Sequence, residues 1–276
     1  MVYRIFRWFP KSAFSRLMGR FAEIHAPRPL LRAVIRAYVA RYGIDLAQFE
    51  EPPGGFPTFN AFFTRPLKAG ARPIAPEPDR VACPVDGRVI TAGAATAGRL
   101  IQAKGKDYSL AELLGDDPVW RDYDGGPSLA LYLSPRDYHR IHSPVAGRVT
   151  RFIYVPGELW TVSPAGVRSV PRLFARNERL ITEIETAFGQ VLLVAVGATV
   201  VGKIRVVYHA VTSQGRAPLS ETLSPPYPLE KGQELGRFEL GSTVILLFRP
   251  GEAVLDDLQP GQEVKLGQGI GTVLHG

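Results

Sequence analysis

Short runs of β-forming residues, separated by glycine and proline, fill the sequence from Val81 onward. The 276-residue chain contains 28 Gly and 24 Pro, which interrupt helices and favour turns between short strands. In this region only 109–114 and a turn near 135–138 have helical character. The sequence therefore predicts an α+β, mainly β, body. The predicted strands are residues 88–92, 128–133, 147–155, 191–196, 198–208, 236–240, 243–248 and 270–274.

One segment recurs sixty positions later: residues 84–89 read Pro-Val-Asp-Gly-Arg-Val, and residues 144–149 read Pro-Val-Ala-Gly-Arg-Val. Each copy has the composition of a turn that leads into a strand, and we expect Gly87 and Gly147 to supply a positive φ. Such a repeat predicts a pseudosymmetric β-sandwich or barrel-like body. Because alanine serves in the second copy, the turn itself does not require Asp86, which is then either a surface residue or has a partner.

The positive charge of the chain is confined to its first 41 residues. This segment holds nine basic residues and one acidic residue, a charge of +8, which leaves −1 for the remainder of a chain whose total is +7. Two amphipathic helices are predicted there, one from Ser12 towards Pro27 and one over 30–42 that ends at Gly43. Large apolar side chains opposite arginines are typical of helices that lie in an anionic membrane surface.

Two interpretations of these helices are open: association with a membrane, or packing of both helices on the body with a solvated arginine face. We favour membrane association for 1–24 and packing for 30–42. No basic patch with interleaved aromatic residues recurs downstream, so nucleic acid is not an expected partner. No run approaches the roughly 20 apolar residues that span a bilayer. A Glu-Pro-Pro-Gly-Gly linker at 51–55 divides a helical membrane-associating arm, 1–55, from a catalytic β-rich domain, 56–276.

A candidate catalytic serine precedes a run of apolar residues, in a Leu-Gly-Ser-Thr sequence that places Gly241 before Ser242. Two of the five histidines, His139 and His142, lie just before the second repeat, and the paired turns are predicted to bring Asp86 near His142. An aspartate that orients an imidazole, a histidine that takes a proton and a serine that attacks form a recurrent catalytic arrangement.

Other interpretations of the histidines stay open at this stage. His139 and His142 have the spacing of half a zinc site, although no third ligand is suitably spaced. Either histidine is equally compatible with a hydrogen-bonded structural role. The remaining histidines, interpreted as structural or surface residues, are His25, His209 and His275.

Several blocks of the sequence, in order, resemble the phosphatidylserine decarboxylases of bacterial and mitochondrial type. The resemblance extends from about residue 56 to the C-terminus, whereas the helical arm matches that family only in character. The blocks are residues 58–67, 84–87, 138–144, 174–179, 196–202, 231–238 and 240–243.

The resemblance implies a proenzyme that cleaves itself between Gly241 and Ser242. Residues 1–241 and 242–276 are then the β and α chains, which stay associated, with homo-oligomers of this heterodimer as a further expectation. Residue 242 becomes a covalent pyruvoyl cofactor, and no metal is expected. The implied reaction converts phosphatidylserine to phosphatidylethanolamine and CO2, carried out by a peripheral protein on the anionic, cytoplasmic face of the bacterial cell membrane.

The same resemblance implies roles for individual residues. Asp86, His142 and Ser242 are expected to carry out self-cleavage, and His139 to transfer a proton in decarboxylation. The expected substrate contacts are Tyr138, Arg140 and Thr243. Candidates for the phosphate, by charge alone, are Arg140, Arg176 and Lys203.

Two other functions are compatible with parts of the sequence. The repeat and the Gly-Gln-Glu-Leu-Gly run at 232–236 are typical of biotinyl- or lipoyl-like β-sandwich binding modules, but no lysine in a Met-Lys-like context is present. A pyruvoyl enzyme that acts on a soluble amino acid shares the site but leaves the arginine-rich, aromatic arm without a role.

Overall fold

The computed structural model describes residues 11–103, 105–199, 203–211, 217–239 and 242–274. Strands predominate, which confirms the predicted α+β, mainly β, class. The helices are α1 (Lys11–Ala22), α2 (Arg28–Tyr42), α3 (Phe59–Phe63), α4 (Leu110–Leu113), α5 (Pro164–Ser169) and α6 (Leu173–Arg176). The strands are β1 (Arg80–Ala82), β2 (Gly87–Ala94), β3 (Arg99–Ala103), β4 (Lys106–Ser109), β5 (Pro127–Leu133), β6 (Arg140–His142), β7 (Gly147–Val155), β8 (Arg179–Thr186), β9 (Gly189–Val196), β10 (Ile204–Val206), β11 (Leu219–Leu229), β12 (Glu234–Phe238), β13 (Ser242–Phe248), β14 (Ala253–Leu255), β15 (Glu263–Val264) and β16 (Gly269–Val273).

An eight-stranded antiparallel sheet forms the centre of the molecule, with the strand order β11-β7-β8-β9-β13-β5-β2-β15. β13 pairs with both β9 and β5, and every residue of β13 is buried. Because side chains alternate between the faces of a strand, Val244 and Leu246 enter one core, and Ile245 and Leu247 enter the other. A strand buried on both faces needs the continuous apolar run that follows Ser242 in the sequence.

Different elements cover the two faces of this sheet. On one face lie two three-stranded sheets, of order β1-β16-β14 and β10-β12-β6, which share an apolar core with it. The hairpin β3-β4 and helices α4, α5 and α6 pack against the other face. The arrangement is a layered sandwich, and within the described ranges the large sheet does not close into a barrel.

The two repeated segments bind each other reciprocally. Ala82 N donates to Pro144 O at 2.9 Å, and sixty positions later His142 N donates to Pro84 O at 2.9 Å. The pseudosymmetry that the repeat predicts is therefore present in the hydrogen bonds. These two hydrogen bonds place Ala82 beside the start of the second repeat and His142 beside the start of the first.

The expectation of a positive φ at Gly87 and Gly147 is wrong, because neither residue lies in the left-handed region. A Cβ at Gly87 would instead stand 2.5 Å from Tyr132 O, and one at Gly147 would stand 2.3 Å from Glu185 O. Close approach of a neighbouring strand, not turn geometry, is what excludes a side chain at both positions.

The two described helices of the arm lie beside α3. α2 follows its predicted bounds closely and ends at Gly43, whose φ is 64°; it buries Leu31 and Ile35. α1 ends at Ala22, earlier than predicted. Residues 1–10, which belong to the 1–24 segment predicted to associate with a membrane, lie outside the described residues. None of the described helices is long and apolar enough to cross a membrane.

Candidate active site

Ser242 is the first residue of β13, and its hydroxyl is buried with no hydrogen-bond partner in the described part of the chain. Leaving a buried polar group unsatisfied costs about 1–3 kcal/mol, so native structures rarely retain one without a functional reason. Ser242 pairs with Leu133, the last residue of β5. Leu240 and Gly241, on the other side of the predicted cleavage site, lie outside the described residues.

Strand ends converge around His139. β5 ends at Leu133, beside Ser242, and leads through a short turn to the histidine. From β12, Phe238 N donates to His139 O at 2.9 Å, shortly before the chain reaches Ser242. Of the two predicted histidines, His139 therefore lies in the region of Ser242, whereas His142 pairs with Glu234 at the far end of β12. Among the described residues, no hydrogen bond joins Ser242 Oγ to an imidazole.

His142, in β6, is oriented by two hydrogen bonds. Its Nδ1 lies 2.7 Å from Gly232 O, and because a carbonyl oxygen only accepts, we assign the ring proton to Nδ1. Nε2 then holds the lone pair and accepts a bond from Tyr138 Oη at 3.0 Å. Burial lowers the pKa of His142 below its usual range. At neutral pH, His142 is an uncharged imidazole that can accept a proton once Tyr138 releases Nε2.

Asp86 does not contact His142 directly, because Arg72 holds its carboxylate. Arg72 donates to both oxygens at distances of 2.6–3.2 Å, and Leu266 N donates to Oδ1 at 2.9 Å. Burial lowers the pKa of His142, whereas the negative charge of Asp86 opposes that effect through space. Of the two interpretations left open for Asp86, the structure shows a buried residue with a partner, Arg72, and not a surface residue.

Sequence reasoning missed both Arg72 and Gly232 as members of the site. Arg72 lies in a segment without a repeat or a catalytic motif, and only the folded chain brings it to Asp86. Gly232 contributes through its main-chain oxygen, which no side-chain pattern reveals. The one available signal was the resemblance of 231–238 to the family sequence.

His139 is completely buried and stacks on Phe63 of α3, with ring centroids 4.0 Å apart. Its Nδ1–H donates to Asp137 O at 2.7 Å, which leaves the Nε2 lone pair without a partner in the described ranges. Burial, with a smaller contribution from the positive charge of Arg65, lowers the pKa of His139 to about 3. His139 is thus an uncharged imidazole with a vacant acceptor at neutral pH.

This burial predicts an acid-sensitive fold. Between the usual pKa of 6.5 and about 3, the unfolded chain protonates His139 and the folded chain does not. The free energy of unfolding then falls with falling pH by about 1.4 kcal/mol per pH unit from this residue. Urea unfolding of the uncleaved Ser242→Ala chain at pH 4.5–7.5 measures the slope. We expect His139→Gln to flatten it and the exposed-site control His25→Gln to leave it unchanged; equal slopes in all three chains would contradict the assignment.

The predicted substrate contacts have unequal surroundings. Thr243 lies on the face of β13 opposite Ser242, and its buried Oγ1 also lacks a partner among the described residues. Arg140 and Arg176 each form an ion pair with a glutamate, at 2.7 Å and 2.6 Å respectively. Lys203 lies immediately before β10. Within the described ranges, no group of three or more His, Cys, Asp or Glu residues is arranged to hold a metal ion.

An apolar cavity of about 710 Å³ begins at Phe63, the ring that stacks on His139. Side chains of α1, α2 and α3 form its walls, with Thr199 beside them. Two of its lining residues, Phe21 and Val34, are also exposed to solvent, at 56% and 46%. The cavity therefore extends from the outer surface of the arm to Phe63, whose ring contacts the buried His139.

Comparisons with known proteins identify the family of this chain. A family model described as phosphatidylserine decarboxylase matches residues 59–272. The chain is 51% identical to the phosphatidylserine decarboxylase proenzyme of Anaeromyxobacter sp. (strain K), over 96% of this chain and 95% of that protein. It is 44% identical to the proenzyme of the same name from Myxococcus xanthus (strain DK1622), over 98% and 97% of the two chains. This chain therefore belongs to the phosphatidylserine decarboxylase family of carboxy-lyases.

Proposed function

We propose that this protein decarboxylates phosphatidylserine to phosphatidylethanolamine with a pyruvoyl group that it makes from its own Ser242. The observation that carries the proposal is the buried Ser242 hydroxyl, unpartnered among the described residues, near the strand end that holds His139, an uncharged imidazole with a vacant acceptor. The relatives named above are proenzymes, that is, precursors that require processing. Self-cleavage at Gly241-Ser242 supplies that processing.

Cleavage begins when His142 Nε2 takes the proton of Ser242 Oγ and Oγ attacks the carbonyl carbon of Gly241. The amide C–N bond breaks, and the acyl group moves to oxygen as an ester. Removal of the Cα proton of residue 242 then expels Gly241 as a carboxylate and leaves a dehydroalanine. Its amine tautomerises to an imine, and water releases ammonia to leave a ketone. Asp86 stabilises the imidazolium form of His142 by its charge.

The surroundings of residue 242 fit a small ketone at the start of a chain. The Ser242 hydroxyl has no hydrogen bond to lose among the described residues, and β13 is paired with β5 over 242–247 and with β9 over 243–248. The new chain end therefore stays in register, and we propose that the 1–241 and 242–276 chains remain together. When present, a pyruvoyl group withdraws electrons from the carbon that loses CO2. In other decarboxylases a separately bound organic cofactor serves as this electron acceptor.

His139 is suited to carry a proton from one step to the next. With a pKa of about 3, it is uncharged at neutral pH, and its Nε2 is a vacant acceptor. The headgroup ammonium has to lose a proton before its nitrogen can react. Nε2 is the vacant acceptor for that proton, and because the imidazolium has a pKa of about 3 it forms only transiently and gives the proton up readily. Nε2 can then return it to the carbon from which CO2 has departed. A histidine that was protonated at the outset could not perform the first of these transfers.

The apolar cavity favours a lipid over a soluble amino acid as the substrate. Its walls are aliphatic and aromatic side chains, which suit acyl chains, and it begins beside His139. Leu17 and Phe21 of α1 are half-exposed at the same end of the molecule. Exposed apolar side chains on an amphipathic helix bind the interfacial zone of a bilayer. We propose that the 1–55 arm holds the protein on the cytoplasmic membrane face as a peripheral protein.

The reaction is tested with purified, cleaved protein and vesicles that contain phosphatidylserine. We expect CO2 and phosphatidylethanolamine in equal amounts. Free serine, given at the same concentration, should yield no CO2. Release of CO2 from free serine but not from the vesicles would instead identify an amino acid decarboxylase.

Phe21→Glu is expected to weaken turnover of phosphatidylserine in vesicles about tenfold or more, because a carboxylate enters both the cavity wall and the membrane-facing surface. Val254→Glu is the matched control, since Val254 of β14 is equally exposed, at 56%, but does not line the cavity. Self-cleavage should be complete in both variants. An equal effect of the two substitutions on vesicle binding and turnover would contradict the proposal that the arm binds the membrane and admits the lipid.

A further inference from the structure

Among the described residues, two arginines are buried almost completely, yet only one of them has the hydrogen bonds that such burial requires. Arg179, 3% exposed, uses all three of its guanidinium nitrogens. The acceptors are the main-chain oxygens of Leu113, Ala175, Asn177 and Glu112. Arg179 thereby ties β8 to its neighbours, and its burial has a structural explanation.

Arg65, 1% exposed, is the contrasting case. Its Nη1 donates to Phe62 O at 3.1 Å, but Nε and Nη2 have no partner in the described part of the chain, and no carboxylate there pairs with it. The guanidinium lies between the rings of Phe49 and Phe62, 4.0 Å and 4.8 Å from their centroids. Burial lowers the pKa of Arg65 to about 10, so it stays charged at neutral pH.

These contacts do not account for the burial of this charge. Contact with aromatic faces stabilises a desolvated cation only modestly. Removing a charge from water costs more than that, even after the surroundings relax. Methionine or leucine would fill the same space between the two rings without that cost. The charge at residue 65 therefore points to a function outside local packing.

The site next to Arg65 that responds to its charge is His139. Phe62 stacks on Arg65, and the next residue of α3, Phe63, stacks on the His139 ring. The hydrogen bonds of His139 are to uncharged main-chain groups. Its Nδ1–H donates to Asp137 O, and its own main-chain oxygen accepts from Phe238 N of β12. Arg65 is the charged side chain, among the described residues, whose field disfavours the imidazolium form.

We propose that Arg65 is a positioning residue for the decarboxylation step: its fixed charge adds to burial in disfavouring the imidazolium form of His139, and its contact with Phe62 holds α3 so that Phe63 fixes the imidazole plane. The inference rests on the proton-carrying role proposed above for His139. Arg65 does not touch the reacting atoms in this scheme. Tyr38, whose hydroxyl donates to Pro135 O, is a second titratable group that senses the charge of Arg65.

Arg65→Met and Arg65→Lys separate the charge from the packing, and Arg179→Met is the matched control for loss of a buried arginine. The first readout is the histidine NMR titration of the uncleaved Ser242→Ala chain, which needs no catalysis. We expect Arg65→Met to raise the pKa of His139, Arg65→Lys to restore it, and Arg179→Met to leave it unchanged. If Arg65→Met does not fold, Arg65→Gln removes the same charge and keeps a polar side chain.

The second readout is kcat against pH for the same Arg65 and Arg179 variants in the cleavable chain. With Arg65→Met, kcat should fall about tenfold per pH unit below the raised pKa of His139 and recover at higher pH. The Arg65→Lys variant should show the same pH profile as the unsubstituted protein. An unchanged His139 titration overturns the proposal. So does a changed titration with an unchanged pH profile. Failure of the proposed function is distinguishable, because the unsubstituted protein would then release no CO2 from phosphatidylserine.

Discussion

Ser242→Ala is expected to leave a single uncleaved chain with no measurable decarboxylase activity. The substitution removes one oxygen, and that oxygen is both the nucleophile of self-cleavage and the precursor of the cofactor. Because Ser242 Oγ makes no hydrogen bond in the described ranges, its loss should not destabilise the fold. We expect a melting temperature equal to or above that of an uncleaved chain with serine at this position. Gel electrophoresis and CO2 release measure the two functional effects.

Thr182→Val is the matched control for this substitution. Thr182 is another buried hydroxyl in the eight-stranded sheet, but it shares a 2.7 Å hydrogen bond with Tyr208 Oη. Its loss should lower stability by about 1 kcal/mol and leave cleavage complete. A Ser242→Ala chain that is cleaved, or that decarboxylates phosphatidylserine while intact, would remove Ser242 from the mechanism.

The second large effect is expected from His142→Ala, which should slow self-cleavage about 100-fold or more. General base catalysis typically contributes that much, and His142 presents an uncharged imidazole oriented by Gly232 O. Cleavage should also slow as pH falls, because protonation of His142 removes the base. Incubating freshly translated chain and following the appearance of the 242–276 fragment gives the rate.

His139→Ala distinguishes the two histidines. It should be cleaved at a rate near that of the unsubstituted chain, yet decarboxylate phosphatidylserine poorly. Both imidazoles are uncharged at neutral pH, and the pairing of β12 places His139 nearer to Ser242 than His142, so the assignment of His142 to cleavage rests on the family resemblance and needs this test. If His139→Ala blocks cleavage and His142→Ala permits it, their assigned roles are reversed.

Asp86→Asn is expected to act differently from the histidine substitutions. Arg72 would lose its carboxylate partner in a buried site, which destabilises a protein by about 3–5 kcal/mol. Cleavage should slow as well, since the charge that favours the imidazolium form of His142 is gone. A loss of stability with no change in the cleavage rate would restrict Asp86 to a structural role.

Features of the fold that depend on nearby residues could be predicted from the sequence. The apolar run after Ser242 predicted the central strand β13, because a strand buried on both faces needs uninterrupted apolar residues. Gly43 correctly marked the end of α2, where the backbone turns left-handed. The repeat indicated the pseudosymmetry that places His142 beside Pro84.

Features that depend on distant contacts could not be predicted in this way. β8 was missed because its buried residues include Arg179 and Glu183, whose partners lie on other elements. β11 was missed because three prolines interrupt it, and it tolerates them as an edge strand of the large sheet. In the site, Asp86 was correctly expected to need an explanation, but Arg72 as its partner emerges only from the folded chain.

Intact-mass spectrometry of the active protein tests the central claim, that residue 242 is converted to a pyruvoyl group. The account predicts two species, 1–241 and 242–276. The smaller species should be blocked at its N-terminus and lighter by one ammonia than a fragment that begins with serine. A single full-length mass in fully active protein, or a smaller fragment that still begins with serine, would contradict it.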